Sequence, residues 1–477
     1  MPRILALLLA IIGSAATAGS AFCRPPNIVL ILADDLGWAD LGCYGNRFNE
    51  TPRIDKLATQ GVRFTDFYSA GPVCSPTRAA IQSGQYQARF GLTAHIPGHW
   101  RPFEKLAEPP CALELPLEVV TMAERLREAG YATGYFGKWH LGGRGFGPKD
   151  QGYETVYEGQ GHTIPGRQQP PPGSGPRRAC DYLAELTEKF IEANKAKPFF
   201  VQVSPFAVHI PLNTTPELKA KYDAMPKAPG YASHPLYAGL LEELDQCVGR
   251  VLDALDRNGL ANDTLVIFTS DNGGLERESG GWPGTTNAPL RNEKGSLYEG
   301  GIRVPTIIRR PGIARAGAVT TQPAISTDFY PTVLATAGLT PDANQPADGV
   351  SLTPLLLDPT ADLNRETLFW HYPHYHHSRP SGAIRSRDWK LIEFFDTGAV
   401  ELYRVSEDIG EATDLASKNR PMADALRERL RVWRRSVGAQ MPQRNPAYDP
   451  KRAGEWWNRA RVEKTEAPGT YRDDRKQ

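Results

Sequence analysis

Cys74-Ser75-Pro76-Thr77-Arg78 is the stretch of this sequence from which the fold and the site are most directly inferred. Proline suits the first turn of a helix, where its missing N–H costs nothing, so the stretch predicts a helix that continues over Arg78 to Gln82. Cys74 then lies at the positive end of the helix dipole, beside backbone N–H donors and a guanidinium. Such surroundings favour an anionic ester, although a buried thiol beside a capped helix is the simpler interpretation of so short a motif.

Length and charge limit the classes of protein to consider. The chain has 477 residues, 40% of them hydrophobic, which is enough for one large domain and a smaller one. Its 55 basic and 54 acidic residues nearly balance. We therefore expect neither nucleic acid nor an anionic membrane as a partner, and any preference for anions must be local.

Residues 1–21 have the organisation of a secretory signal peptide. Arg3 precedes the apolar run Ile4–Ile12, and Ala16-Thr17-Ala18 or Gly19-Ser20-Ala21 offers a cleavage site. The apolar run is too short to span a membrane, and no later run is long enough. The sequence therefore predicts a periplasmic or secreted protein without a membrane span.

The cysteines leave two questions open. Cys23 suggests a lipoprotein anchor, but Phe22 stands where a lipidation site needs a small residue, so soluble export is favoured. Export makes disulfide bonds possible, although the sequence cannot give their pairing. The cysteines concerned are Cys43, Cys111, Cys180 and Cys247. Cys74 is not expected to join them.

Apolar runs alternate with amphipathic helical patterns along most of the chain. The runs are Asn27–Ala33, Tyr131–Phe136, Phe199–Val203 and Thr264–Thr269. Helical spacing of apolar residues extends from Met122 to Ala129 and from Leu241 to Leu255. The alternation predicts an α/β fold with a mostly parallel central sheet covered by helices on both faces. In such sheets ligands bind at the carboxyl ends of strands.

Two pairs of oxygen-bearing side chains stand at that position. Asp34-Asp35 directly follows the first run, and Asp271-Asn272 directly follows Thr264–Ser270. One such pair alone would usually be a solvated turn or a helix cap, but two pairs at equivalent strand ends favour a shared site. Oxygen ligands without a histidine or thiolate select a hard cation, Ca²⁺ first and Mg²⁺ second.

On these motifs the sequence resembles the type I sulfatases of the alkaline-phosphatase-like superfamily. Members of that family carry C-x-P-x-R at the start of a helix, and Gly134-Tyr135-Phe136-Gly137-Lys138-Trp139-His140-Leu141-Gly142 is similar to their other signature. The resemblance extends in order from about Pro26 to about Ala416. It implies an alkaline-phosphatase-like large domain and the hydrolysis of sulfate esters, of the arylsulfatase type.

The resemblance also implies how Cys74 acts. In the family a maturation enzyme oxidises this cysteine to formylglycine, whose hydrate has two hydroxyls on one carbon. One hydroxyl attacks sulfur, and the other loses its proton and expels sulfate as the aldehyde re-forms. A thiolate would instead leave a thiosulfate with no easy exit. The divalent ion is expected to be bound by Asp34, Asp35, Asp271, Asn272 and the modified Cys74.

Further basic residues match the family pattern, although each alone could be an ordinary surface or structural residue. They are Arg78, Lys138, His140, His209 and Lys294. Arg78 would orient the nucleophile, while Lys138, Lys294 and His140 would neutralise the sulfate oxygens. His140 would also accept the proton of the second hydroxyl, and His209 would protonate the departing alcohol. Val208 departs from the pattern, because the family often has proline before this histidine.

The predicted domains are a signal peptide (1–21), a catalytic domain (22–365), a smaller C-terminal subdomain (366–440) and a polar tail (441–477). Short runs at Ile384–Arg387, Lys390–Phe394 and Val400–Arg404, then a helical pattern over Met422–Trp433, predict a short antiparallel sheet and a helix in the subdomain. Apart from Trp456-Trp457, the tail has the composition of a wrapping or disordered segment.

Two segments could shape substrate choice. Gly166–Arg178 contains three prolines in a row and three arginines, and is predicted to be an exposed loop rather than a dedicated contact for an anionic polymer. The run His371–His377 could bind a transition metal, but no acidic or thiol side chain accompanies it in the sequence. We interpret it as a rim that stacks on a sugar ring. The expected substrate is a sulfated carbohydrate or an aryl sulfate.

Three other classes stay open at this point. They are a phosphonate monoester or phosphodiester hydrolase of the same superfamily, a non-catalytic binding protein for sulfated glycans, and a purely structural secreted protein. Comparing activity on a sulfate monoester and on a phosphodiester would separate the first from a sulfatase. The complete set of nucleophile and cations disfavours the second, and carboxylates at strand ends disfavour the third.

Overall fold

The structure, a computed structural model, describes residues 24–164, 176–276 and 284–458. The predicted signal peptide, Cys23 and most of the loop Gly166–Arg178 lie outside the described residues. No helix within the described ranges has the length and apolar character needed to cross a membrane.

The described chain forms strands and helices in alternation. The strands are β1 (Asn27–Ala33), β2 (Val62–Phe64), β3 (Phe67–Tyr68), β4 (His99–Trp100), β5 (Leu106–Ala107), β6 (Ala132–Gly137), β7 (Thr155–Glu158), β8 (Phe199–Ser204), β9 (Thr264–Ser270), β10 (Thr306–Arg309), β11 (Ala318–Thr320), β12 (Ala324–Ile325), β13 (Thr367–Tyr372), β14 (Ser381–Ser386), β15 (Trp389–Phe394), β16 (Val400–Arg404), β17 (Gln443–Arg444) and β18 (Trp457–Asn458). The helices are α1 (Pro52–Gln60), α2 (Cys74–Ser83), α3 (Met122–Glu128), α4 (Ala179–Asn194), α5 (Pro216–Ala224), α6 (Pro235–Arg257), α7 (Glu299–Ile302), α8 (Phe329–Thr336), α9 (Thr353–Leu357) and α10 (Arg420–Ser436).

Eight of these strands form the main sheet, in the order β11-β2-β10-β9-β1-β8-β6-β7. Among them β10 runs antiparallel to β9 and β2, and the other neighbours are parallel. The predicted α/β fold with a mostly parallel sheet is confirmed. The four predicted runs became β1, β6, β8 and β9, each within one residue at either end, because continuous apolar runs are typical of strands buried on both faces.

Helices cover both faces of this sheet. In β1, Val29 and Ile31 belong to the core that packs against α4 and α6, whereas Ile28 and Leu30 belong to the core on the other face, with α3 and α8. Successive side chains of a strand point to opposite faces, so one apolar strand supports two cores.

The C-terminal subdomain contains the antiparallel sheet β13-β14-β15-β16, with α10 packed on it. The sheet and helix agree with prediction, but β13 was not predicted as a strand. The apolar core of the subdomain, which includes Trp370, Leu391 and Leu430, also contains Ala80 and Ile302 of the main domain. The two parts therefore share buried apolar surface.

Residues 441–458, which we call the C-terminal strap, return to the main domain. β17 pairs with β5, and β18 pairs with β4. The strap thus packs on the segment 99–107 through two short ribbons.

No cysteine within the described ranges forms a disulfide bond. Cys43, Cys111, Cys180 and Cys247 are all free thiols. Cys180 and Cys247 are buried in the apolar core between α4 and α6, and burial raises the pKa of both thiols. They pack as small apolar side chains, which is common for buried cysteine.

Candidate active site

Adjacent strands of the main sheet end at one edge and lead directly into the predicted site residues. Ala33 and Ser270, the last residues of β1 and β9, are paired, so Asp34 and Asp271 follow side by side. The N–H of Asp35 donates a hydrogen bond to Oδ1 of Asp271 at 3.2 Å. The parallel register of two strands therefore brings together carboxylates that are more than 230 residues apart.

A glycine positions Lys138 at the end of β6. Gly137 has a φ of +122°, and a Cβ atom there would lie 2.0 Å from the carbonyl oxygen of Ser204. Only glycine fits this close approach. The N–H of Lys138 donates to the same carbonyl at 2.9 Å, which fixes the start of the lysine against the neighbouring strand β8.

His209 lies in the loop after β8, which is hydrogen-bonded to the turn after β1. The N–H of Asp34 donates to the carbonyl of Ala207 at 3.1 Å, and the N–H of Val208 donates to the carbonyl of Asp34 at 2.8 Å. The Ala207–Val208 peptide is cis. This loop places Nε2 of His209 3.5 Å from Oδ2 of Asp35.

Cys74 is the first residue of α2 and is 2% exposed. Its Sγ lies 3.6 Å from Oδ1 of Asp34, 4.0 Å from Oδ1 of Asp35 and 3.4 Å from Nζ of Lys138. The predicted helix is confirmed, and it continues to Ser83. Burial raises the pKa of the Cys74 thiol to about 12, so the unmodified side chain is a neutral thiol at physiological pH.

Arg78 lies one turn into α2 and is 1% exposed. Its Nε and Nη2 donate to Oδ2 of Asp271 at 3.0 and 2.7 Å, and its Nη1 donates to the backbone carbonyl of Lys138 at 2.8 Å. The guanidinium is thus fixed by charge-assisted bonds to two other parts of the site. These hydrogen bonds hold Asp271 and the backbone of Lys138 in place.

Each lysine of the site pairs with one aspartate. Nζ of Lys138 lies 2.6 Å from Oδ2 of Asp34, and Nζ of Lys294 lies 2.6 Å from Oδ1 of Asp35. Although burial alone would raise their pKa values, Lys138 near Asp34 and Lys294 near Asp35 hold the pKa of both carboxyl groups below the usual range. Both aspartates are therefore carboxylates, surrounded by cations in a buried site.

The buried side chains at the strand ends could hold a metal ion. Nδ2 of Asn272 donates to Oδ1 of Asp35 at 2.8 Å, while its Oδ1 is buried and accepts no hydrogen bond from the described residues. Such an unused buried oxygen is costly without a partner. Ligand atoms of Asp34, Asp35, Cys74 and His209 lie within 4.8 Å of one another. His209 was not among the predicted ligands.

Asp271 differs from the other carboxylates. Burial, followed by the charge of Asp34, raises its pKa to about 6, even though Arg78 bonds it directly. The added charge of a cation at this site would lower that pKa and favour the ionised form.

His140 is a neutral imidazole in this structure. Burial, and then the charge of Lys138, lowers its pKa to about 3. Nε2 of His140 is hydrogen-bonded to the carbonyl of Ile96, and Nδ1 is buried without a hydrogen-bond partner among the described residues. A ring that donates through Nε2 has an unprotonated Nδ1, so His140 supplies no positive charge in this structure.

Five of the site residues line what we call the floor of a cavity of about 520 Å³: Cys74, Lys138, His140, His209 and Lys294. Its other walls come from segments that are distant in sequence: His95 precedes β4 and His99 belongs to it, Phe206 follows β8, and Trp456 belongs to the C-terminal strap. A volume of this size accommodates a drug-sized ligand, and aromatic walls with a few polar groups are typical of small-molecule sites.

Half of the predicted histidine rim lies at the cavity. His376 and His377 line it, and Gly295, with a φ of +83°, leaves room for the ring of His376. His371 and His374 are instead buried, each 1% exposed. His374 bonds Glu108 through Nδ1 at 2.9 Å, so an acidic partner does accompany the run, supplied from 266 residues away.

Trp456 is the main cavity residue that the sequence interpretation missed. The guanidinium of Arg101 lies 4.5 Å from the centre of its ring, and the rings of His99 and His376 lie 5.7 and 5.6 Å away. Two adjacent tryptophans in an otherwise polar tail were the available signal. The position of Trp456 at the cavity depends on the neighbouring pairing of β18 with β4.

The fold, with Cys74, carboxylates and basic side chains gathered at the strand ends, is that of a hydrolase of the alkaline-phosphatase-like superfamily. The chain belongs to the sulfatase family, because residues 26–339 match the Sulfatase family model. Residues 292–436 also match the model for the C-terminal region of N-sulphoglucosamine sulphohydrolase. The protein is accordingly an enzyme that hydrolyses sulfate esters.

Individual proteins of known identity are similar to this chain over most of its length. Human arylsulfatase A is 34% identical, with 88% of this chain and 83% of the relative covered. A sulfatase of Formosa agariphila is 32% identical, with 86% of this chain and 89% of the relative covered. A solved structure of Ps i-CgsB in complex with k-i-k-neocarrahexaose has a TM-score of 0.74 and 26% identity, with 93% of this chain and 98% of that chain covered.

Proposed function

We propose that this sulfatase removes sulfate from sulfated carbohydrates, using a formylglycine made from Cys74 and one bound divalent cation, Ca²⁺ in preference to Mg²⁺. The observation that carries the proposal is the position of Cys74 on the floor of the cavity, 3.4 Å from Lys138 and 3.6 Å from Asp34. A neutral buried thiol is a weak nucleophile, so its environment agrees better with a modified side chain.

Two groups would add chemistry that the unmodified chain lacks. The hydrate of formylglycine supplies a hydroxyl nucleophile. The cation supplies positive charge for the sulfate oxygens and makes a neighbouring hydroxyl more acidic. Asp34, Asp35, Asp271 and Asn272 would hold the cation, with His209 and residue 74 close by.

The side chains around residue 74 then divide the remaining work. Lys138 and Lys294 would bind sulfate oxygens, since both ammonium groups lie at the floor of the cavity. Arg78 would keep Asp271 in position through its two hydrogen bonds. Nδ1 of His140 would accept a proton, and His209, on the cavity wall, would donate one to the departing alcohol.

The walls of the cavity support a carbohydrate substrate. A sugar ring has apolar faces and polar edges, which suits Trp456 together with the rings of His376 and His377. The similar protein Ps i-CgsB was solved with a neocarrahexaose. The residues at 1–21 support a periplasmic or secreted location, where such polymers are met, and a formylglycine-forming maturation enzyme is the expected partner during biogenesis.

The test is a comparison of substrates with protein from a host that forms formylglycine. A panel of defined sulfated saccharides should be hydrolysed, with release of sulfate, and Cys74→Ala should abolish the release. A phosphodiester and a phosphonate monoester should be poorer substrates than the best sulfate ester. Faster hydrolysis of either one would favour the phosphonate or phosphodiester hydrolase instead.

A further inference from the structure

A second cavity lies in the C-terminal subdomain, between α10, the end of β15 and the start of the C-terminal strap. Its volume is about 650 Å³, and none of the proposed catalytic residues lines it. Four arginines of α10 do, and we call it the arginine groove. They are Arg427, Arg431, Arg434 and Arg435.

The spacing of these arginines puts them on one face of α10. Residues four, seven and eight positions apart lie along the same side of an α-helix. Like charges at this spacing repel each other, so the arrangement is unfavourable unless anions lie nearby.

Carboxylates offset only part of this charge. Glu393 is the one carboxylate among the described lining residues, and its oxygens lie 2.6 Å from Nε of Arg427 and 3.7 Å from Nη2 of Arg431, with a further contact to Arg434. Arg435 pairs with Glu428 at 3.3 Å, outside the lining. The lining therefore carries three more cationic than anionic side chains.

Arg434 is the most buried of the four arginines. The residue is 6% exposed, and its Nη1 is buried without a hydrogen-bond acceptor among the described residues. Its guanidinium also lies 5.0 Å from the centre of the Phe395 ring, which lines the same groove. Within the described part of the chain, Glu393 is the one carboxylate that contacts this buried cation, so an oxyanion in the groove would stabilise its charge further.

We propose that the arginine groove binds sulfate groups of a polymeric sulfated glycan, apart from the catalytic cavity. Guanidinium groups match the geometry of tetrahedral oxyanions and bind them through paired hydrogen bonds. The choice of a sulfated polymer rests on the proposed function, because a polymer held at the groove would reach the active site at a raised effective concentration.

The experiment compares two double variants with the same loss of charge from α10. Arg431→Ala with Arg435→Ala alters the groove at its two more exposed arginines, 46% and 68% exposed, so the fold should be kept. Arg420→Ala with Arg429→Ala is the matched control, since these exposed residues do not line the groove. Binding of fluorescent dextran sulfate to the full-length protein is measured at low and at physiological salt.

The groove variant should bind dextran sulfate about 5-fold more weakly than the matched control, because exposed ion pairs are worth a factor of roughly 2 to 5 each. The difference should shrink at high salt. Equal affinities of the two variants would overturn the proposal. So would a groove-dependent loss that is seen with inorganic sulfate or polyglutamate but not with dextran sulfate.

Turnover gives a second measurement. The ratio of KM for a sulfated polysaccharide to KM for a monosaccharide sulfate should rise in the groove variant relative to the matched control. The binding assay involves no turnover, so it separates the two proposals. If no protein, wild type included, released sulfate from any ester, the proposed function would be contradicted. Equal polymer binding by the groove variant and the matched control would contradict the groove proposal alone.

Discussion

Cys74 combines a reactive residue type with an environment that keeps it unreactive. Burial raises the pKa of its thiol to about 12. We therefore expect active protein from a maturation-competent host to carry formylglycine at this position. Mass spectrometry of the tryptic peptide that ends at Arg78 should find it lighter by the change from thiol to aldehyde, and fully active enzyme with only a free thiol would contradict the mechanism.

His209 can be distinguished from a residue that only binds sulfate. A sugar alkoxide needs a proton as it leaves, whereas nitrophenolate does not. His209→Ala should slow hydrolysis of a sugar sulfate by on the order of 10²–10⁴ and slow nitrophenyl sulfate far less. Lys294→Ala should impair both substrates similarly, because it contacts the part they share. Equal losses for His209→Ala would mean that another residue is the acid.

Removal of the cation should have both a kinetic and a thermal effect. Exhaustive chelation of the mature enzyme should abolish turnover and lower Tm, because a ligand bound only to the folded state stabilises it by about 2.7 kcal/mol at 100 times its Kd. Asp271→Ala should lose activity and start from a lower Tm, since Arg78 stays buried but loses its two hydrogen bonds to the Asp271 carboxylate.

The controls for this prediction decide the identity of the ion. Ca²⁺ added back after chelation should restore turnover and Tm at lower concentration than Mg²⁺. Chelation should change the Tm of Asp271→Ala less than that of the wild type. A wild-type Tm and activity that survive exhaustive chelation would exclude the metal site.

Among the elements, those with long local patterns could be predicted and those made by distant pairing could not. β1 and α6 follow from an unbroken apolar run and from a sustained helical repeat. β4 and β18 have two residues each and exist only because they pair with each other across more than 350 residues of chain. No local propensity specifies such a ribbon.

The C-terminal strap supplies the clearest prediction at this scale. Trp456→Ala should raise KM for a sugar sulfate on the order of 10-fold, with a smaller change in kcat, because an aromatic wall binds ground state and transition state alike. Trp456→Phe should recover part of the loss. Tyr448→Ala is the control on the same strap, since Tyr448 is 43% exposed and does not line the cavity. Equal KM values in Trp456→Ala and the control would remove Trp456 from the substrate site.

For the whole molecule, a buried ionic network joins the two parts of the chain. Lys390 of β15 is fully buried, 2.8 Å from Oε1 of Glu299 in α7 and 2.9 Å from Oε1 of Glu411. Burial raises the pKa of Glu411 to about 7. Burial would also raise the pKa of Glu299, but Lys390, Arg303 and Arg385 together outweigh it and hold that pKa at about 2. Lys390 thus pairs with one carboxyl group of the main domain and one of the C-terminal subdomain.

Lys390→Met should destabilise the protein by about 3 kcal/mol, since it leaves two buried carboxylates facing each other. The variant should gain stability as pH falls through neutrality, because losing the lysine raises the pKa of Glu411 further above its unfolded value and the protonated form then favours the folded state. Urea unfolding measures both effects. Lys390→Met with Glu411→Gln should recover part of the loss, and Lys418→Met, at an exposed position, should cost little. A Lys390→Met protein as stable as Lys418→Met would show that the network is not needed for stability.

The site residues that could be predicted are those with metal-binding or charged side chains at the ends of parallel strands. Asp34 and Asp271 follow from the rule for parallel strand ends. Trp456 and the Glu108–His374 pair were not predictable, because their contacts depend on how segments that are distant in sequence pack against one another. Residue types alone carry no signal for such contacts.

The 2% exposure of Cys74 also sets an order of events in the life of the chain. An enzyme that oxidises this side chain must reach it with its own active site, and a residue that is 2% exposed at the floor of a cavity offers little access to a second protein. The modification that we propose therefore has to come first and folding second. Each new molecule has a limited time in which to become active, and a chain that folds before it is modified is trapped as an intact but inert protein.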